Sequence, residues 1–154
     1  MNIREIENAI IERLKGGIQD LHVEGFPEKP AEFKLIHPKG AVLVHYQGSN
    51  YSEPKSLGCI YQERKLEFSI TVIIKHLRSH DGAYDYLDIV RQALTGFKPE
   101  NCSKMYPLKE YFLAEDNGIW QYSINFAMTT TAIEDDESET LMLFKEGRLD
   151  SNYM

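Results

Sequence analysis

Apolar residues recur along this chain with two periods, one helical and one of alternation. Ile3, Ile6, Ile10 and Leu14 fall at helical spacing with Glu5, Asn8, Glu12 and Arg13 opposite, which predicts an amphipathic helix over residues 3–15. Asn2 and Glu5 stand as an N-cap with a glutamate three residues on, able to reach back to the cap's own N–H, and Gly16-Gly17 closes the stripe. A second stripe, Ala83, Leu87, Val90 and Leu94, follows cap residues in Ser79-His80-Asp81-Gly82. Gly96 closes that helix, Pro99 prevents its continuation, and Asp88 and Arg91 make a surface pair on it.

Elsewhere the period is two. Residues 18–24 alternate loosely through Leu21 and Val23 and predict a short strand, after which Pro27, Pro30 and Pro38 impose loop. Residues 40–48, GAVLVHYQG, form a β-branched run between glycines and read as a buried strand, and the turn residues after Gly48 read as an exposed connection. Leu66, Phe68, Ile70, Val72 and Ile74 then alternate with Glu67, Ser69 and Thr71 along a longer strand. Residues 107–131 predict a hairpin, because Asn117-Gly118 suits a type I′ turn whose two central residues need positive φ. Counting outward from that turn sets Leu113 opposite Tyr122 and Tyr111 opposite Ile124, with Trp120, Tyr122, Ile124 and Phe126 facing the helices. The order of elements predicts an α+β fold, a mainly antiparallel sheet with both helices packed on one face. One domain over residues 1–132 is expected, followed by an acidic tail over residues 133–154.

Composition narrows the function classes. With 154 residues, 42% hydrophobic and 27% charged, the chain has the make-up of a single globular domain with one sizeable core. The net charge of -7 argues against a protein that grips phosphates through clustered Lys and Arg. The longest apolar run, around Ile70, is far short of the ~20 residues that span a bilayer, and neither membrane anchor nor export signal is read from the N-terminus. Cys59 and Cys102 belong to no metal or redox spacing and are expected as free, buried or half-buried thiols.

Candidate chemistry is sparse. His22, His37, His45, His76 and His80 form no ligand pair at metal spacing; His80-Asp81 suits helix capping, and His45 and His76 suit strand ends. There is no phosphate loop and no nucleophile elbow. The acidic run from Glu134 to Glu139 lacks the glycine turn of a calcium loop. Tyr46, Tyr111 and Tyr122 are read as strand positions whose hydroxyls find partners, since a base-stacking surface needs interleaved basic residues. The expectation is a protein with no catalysis, no metal and no cofactor.

The segments IREIENAIIERLK, GAVLVHYQGSNYS, QERKLEFSITVIIKHL, GAYDYLDIVRQALTGFKP and NGIWQYSINFAMTTT, in that order, resemble the tail terminator, or tail completion, proteins of tailed phages and prophages, particularly the Mu-like group. The resemblance implies a small α+β subunit that forms a homo-oligomeric ring, a hexamer, on the head-proximal end of the tail tube. There it stops addition of tail tube protein and offers the surface that meets the head–tail connector protein. It also implies assembly in the bacterial host cytoplasm and residence in the virion tail. DNA passes through such a ring without specific binding, which net acidity suits. A head–tail connector or stopper is the alternative within the same biology, and a cytoplasmic small-molecule-binding domain the alternative outside it.

On that reading the residues of interest are surfaces. Ile73, Leu77, Phe112 and Ile119 have the opposite parity from the core rows and are expected on the outward face. Tyr51, Tyr61, Gln62 and Arg64 are expected on a long loop, residues 49–64, that reaches a neighbour or the tube. Leu141 to Phe144 supplies a candidate docking segment in the tail.

Overall fold

A computed structural model describes residues 2–28, 39–55, 58–78 and 82–134. Helix α1 runs Ile3–Gly17, strand β1 His22–Gly25, β2 Gly40–Tyr51, β3 Tyr61–Ile74, helix α2 Ala83–Leu94, β4 Tyr106–Asp116 and β5 Ile119–Ile133. One five-stranded sheet has the order β1-β2-β3-β5-β4, parallel between β1 and β2 and antiparallel elsewhere. Both helices lie on one face, as the alternation predicts.

The helices form where local signals put them. Asn2 Oδ1 accepts the Glu5 N–H at 2.9 Å, satisfying one of the unpaired donors of the first turn. The return contact differs from expectation: Glu5 Oε1 accepts from the Asn2 side-chain amide at 3.2 Å, not from its backbone. α1 also runs through Gly16-Gly17 to a cap at Ile18. Neither glycine takes the left-handed conformation that ends helices. At α2 the cap is Gly82, with no side-chain hydrogen bond; Ser79, His80 and Asp81 lie outside the described residues. Gly96 does terminate that helix, at φ +84° with its N–H on the Met105 carbonyl.

Ile6, Ile10 and Leu14 of α1 and Leu87, Val90 and Leu94 of α2 meet Val42, Val44, Leu66, Phe68, Ile70, Val72, Ile124 and Phe126 in one core. Each such side chain is worth about 1.5–3 kcal/mol removed from water. The Asn117-Gly118 turn has φ of +52° and +80°, the pair of positive values that type I′ requires.

Beyond that turn the register departs from the simple count. β4 carries irregularities between Pro107 and Lys109 and between Phe112 and Ala114, so Leu108 and Leu113 are bulged. One extra residue flips every side chain beyond it to the other face. Phe112 is therefore opposite Tyr122 on the helix side, and Tyr111 is opposite Ser123 on the far side.

The connection expected after Gly48 is also corrected. β2 continues through Ser49 and Asn50 to Tyr51, which pairs with Arg64. Tyr61 and Gln62 pair in turn with Ile133 and Ala132. These residues belong to a β arm and not to a loop. β5 reaches Ile133, and Glu134 bonds Ile60; the rest of the tail, with Leu141 and Phe144, lies outside the described residues.

Gly40 opens β2 at φ +156°, where an added Cβ would stand 2.1 Å from the Ile73 carbonyl oxygen and 2.7 Å from Ile74 Cδ1. Gly40→Ala is expected to destabilise the fold by more than about 1 kcal/mol, read from urea midpoints.

Buried Tyr86 donates its hydroxyl to Asp20 Oδ2 at 2.5 Å, which also accepts from Lys39 Nζ at 3.2 Å. The Tyr86 bond foremost, with Lys39 behind it, holds the Asp20 carboxyl below its ordinary value against the opposing effect of burial. A folded value below the unfolded one makes this contribution present above the ordinary carboxylate range and lost as pH falls through the folded value. Tyr86→Phe is expected to cost about 1 kcal/mol at neutral pH and to flatten the acid-side decline, checked by urea unfolding across a pH series.

Candidate functional site

The sheet is longer than the helices that cover it. β3 has 14 residues, roughly 46 Å at ~3.3 Å per residue, whereas the 15 residues of α1 span roughly 22 Å at 1.5 Å per residue. Several exposed apolar side chains gather where the strands overrun the helices, while Phe26, Tyr106 and Leu108 are exposed elsewhere.

One such pole lies at the Ile74–Trp120 end. Phe112 packs edge-on to Tyr122 with ring centroids 5.6 Å apart and tilts against Trp120 at 6.2 Å. Tyr84, from the first turn of α2, meets Tyr122 edge-on at 6.3 Å, and the Arg78 guanidinium lies 6.0 Å from the Tyr84 ring centroid. Phe112 is 52% exposed and Tyr84 43%, while Trp120 and Tyr122 are half-buried against the core. Burial, and then the neighbouring Tyr84, push the Tyr122 hydroxyl above the usual phenol range. Glu110 and Glu115 of β4 and Asp85 of α2 are exposed on the side of these rings, whereas Asp116, opposite Ile119, is exposed on the far side.

The other pole is the arm at the Tyr61–Ile133 end. Tyr51, Ile60, Tyr61 and Ile133 are all exposed there. Arg64 organises the helix side of the arm: its Nε donates to Ser49 Oγ at 3.0 Å, one Nη donates to the Tyr46 hydroxyl at 3.3 Å, and its guanidinium lies 5.5 Å from the Tyr51 ring centroid. Gln62 Nε2 donates to the Ser52 carbonyl at 2.8 Å. A cleft of about 540 Å³ opens between the start of α1 and this arm, lined by Asn2, Ile3, Arg4 and Arg64.

The expected outward row fares differently. Ile73 has the predicted parity but is buried with Ala41 and Leu43, and half-buried Ile119 packs beside them. Leu77 packs on the main core, and Phe112 is on the helix side. Tyr111 takes the far-side place instead, its hydroxyl donating to Asn125 Oδ1 at 3.4 Å. Tyr84 and Arg4 were not singled out by sequence. Tyr84 follows the stripe residue Ala83 and so had a readable outward position, whereas Arg4 gave no signal beyond lying on a polar helix face.

Chemical groups are dispersed. Among the described residues no three His, Cys, Asp or Glu gather as a metal site, and no helix is long and apolar enough to cross a membrane. His45 lies within β2, not at its end, and its ring tilts against Phe26 at 5.2 Å. Cys102 is buried, whereas Cys59 is exposed, beyond the half-burial expected of it. A cleft of about 650 Å³ between the helix C-termini includes Arg13, whose Nε donates to the Ala93 carbonyl at 2.9 Å and whose guanidinium stacks on Phe97 at 5.4 Å.

A family model described as Gp37 protein matches residues 10–147. The chain belongs to the Gp37 family. The match crosses the sheet and runs into the acidic tail. No curated protein matches this Gp37-family chain. Among solved structures, a chain of the virion of a native gene transfer agent particle is similar in fold, with a TM-score of 0.55 at 11% identity over 84% of this chain and 96% of that one.

Trp120 is the single tryptophan and reports directly on its pole. Phe112→Ala is expected to shift its emission to longer wavelength by uncovering the indole, at a stability cost of about 1 kcal/mol for the lost ring contacts. Emission spectra and urea curves of the variant check both.

Proposed function

We propose that this Gp37-family chain is a structural protein of a phage-derived virion, acting as a tail terminator of the Mu-like kind. It assembles as a homo-oligomeric ring, a hexamer, on the head-proximal end of the tail tube. Ring formation there stops addition of tail tube protein and presents a surface to the head–tail connector. Assembly takes place in the bacterial host cytoplasm.

The observation that carries this reading is the pair of exposed aromatic poles at opposite ends of one stiff sheet, in a fold similar to that of a gene transfer agent virion chain. Apolar surface of this kind marks contacts with other proteins. The role proposed is therefore one of surfaces. The net charge of -7 suits passage of a genome without specific binding, because grip on the DNA backbone comes from clustered Lys and Arg that release its counterions. A connector or stopper would share these features, and its binding partner distinguishes it.

Light scattering across concentration, with and without a phage tail tube protein, tests the reading. A discrete ring, or a monomer that caps growing tubes and shortens them, is the expected result. A persistent monomer that neither binds tubes nor changes their length would sink the proposal, and capture by the connector alone would favour the stopper role.

A further inference from the structure

The two poles differ in charge as well as in place. Around Phe112, Trp120 and Tyr122 the exposed carboxylates on the helix side are Glu110, Glu115 and Asp85, against the cations Lys75 and Arg78. Glu115 accepts the Gly118 N–H at 3.0 Å, which leaves its second oxygen at the tip of the hairpin. At the arm, the helix-side cleft presents Arg4 and Arg64 with Tyr51 above them. The carboxylates nearest this cleft are engaged or turned away. Glu5 accepts from Asn2, Glu134 accepts the Ile60 N–H, and Glu63 pairs with Lys55 at 3.9 Å. Glu63 also lies in the strand position next to Arg64, on the opposite side of the sheet.

Building on the assembly reading above, we propose that the poles are complementary halves of one contact. The acidic, aromatic hairpin tip of one copy, Phe112 with Glu115, docks into the Arg4–Arg64–Tyr51 cleft of a second copy. Carboxylates meet guanidinium groups, which bind them with charge-assisted hydrogen bonds, and exposed rings meet an arginine already stacked on a tyrosine. Tyr61 and Ile74 stand about 43 Å apart at ~3.3 Å per residue, so the two surfaces cannot meet within one copy. A contact between unlike surfaces of identical chains is head to tail, and repetition closes a ring when the rotation per copy divides a full turn.

The test uses one variant for each pole, both at exposed positions. Phe112→Ala with Glu115→Lys disables the tip; Arg4→Glu with Tyr51→Asp disables the cleft. Circular dichroism and thermal midpoints confirm that each is folded, and Glu115→Lys alone, also exposed on β4, replaces the tip variant if the double variant unfolds. Each variant alone is expected to self-associate at least 100-fold more weakly than the natural chain. Their equimolar mixture is expected to form a 1:1 dimer and nothing larger, because only one functional junction remains. Assembly of either variant at natural strength, a homodimer of one variant alone, or a mixture that stays monomeric would each overturn the pairing. If the natural chain still forms rings on tail tubes in those cases, only the pairing fails; if the natural chain neither assembles nor binds tubes, the assembly reading fails with it.

Discussion

The structure depends on the pairing of β3 along both of its edges. From Tyr61 to Ile74 this strand bonds to β5, and from Arg64 to Ile74 it bonds to β2 as well. Its backbone donors and acceptors are thereby consumed within the sheet. The consequence for its side chains is burial on both faces over the C-terminal half: Leu66, Phe68, Ile70, Val72 and Ile74 under the helices, and Ser69, Thr71 and Ile73 on the far side. Gly40 is the place where this pairing leaves no room for a Cβ. The two helices, the edge strand and both poles take their positions from this one strand.

Much of this was legible because the signals were local or periodic. The N-cap at Asn2, the helix stripes, the even row of β3 and the I′ turn at Asn117-Gly118 each depend on residues within a few positions of one another. The face of Phe112 was not legible. β4 has apolar residues at Tyr106, Leu108, Tyr111, Phe112 and Leu113, a pattern without clean alternation, and an exposed edge strand has no buried face to pin its register. Bulges at Leu108 and Leu113 therefore left no mark in sequence. The length of β2 was hidden for a related reason, since Ser49 and Asn50 have turn chemistry but are held in the sheet by pairing with Leu66 and Lys65.

The candidate site shows the same division. Tyr51, Gln62 and Arg64 could be chosen as reaching residues from their types, yet their convergence on one face of an arm depends on strand pairing and on a register shift between Tyr46 and Gly48. Arg4 joins them only because α1 crosses the sheet with its first turn beside the arm. Trp120 and Tyr122 were read as core, and they do pack on it, but at the end of the sheet they are covered only in part and their outer edges support Phe112 and Tyr84.

This geometry also explains why the two poles sit at the ends and not in the middle. A helix advances 1.5 Å per residue and a strand more than twice that, so a chain that gives similar residue numbers to each makes a sheet its helices cannot roof. The overhang of a monomer meant to stay monomeric is best filled with charge, as edge strands commonly are. Here Phe112, Leu113, Tyr51, Ile60 and Ile133 are instead exposed at those ends. Burying them against another subunit recovers apolar free energy that the single chain cannot realise. On the proposed assembly, the strands between the poles would hold the two contacts at a defined distance and angle, which is the mechanical requirement for closing a ring with a definite number of subunits.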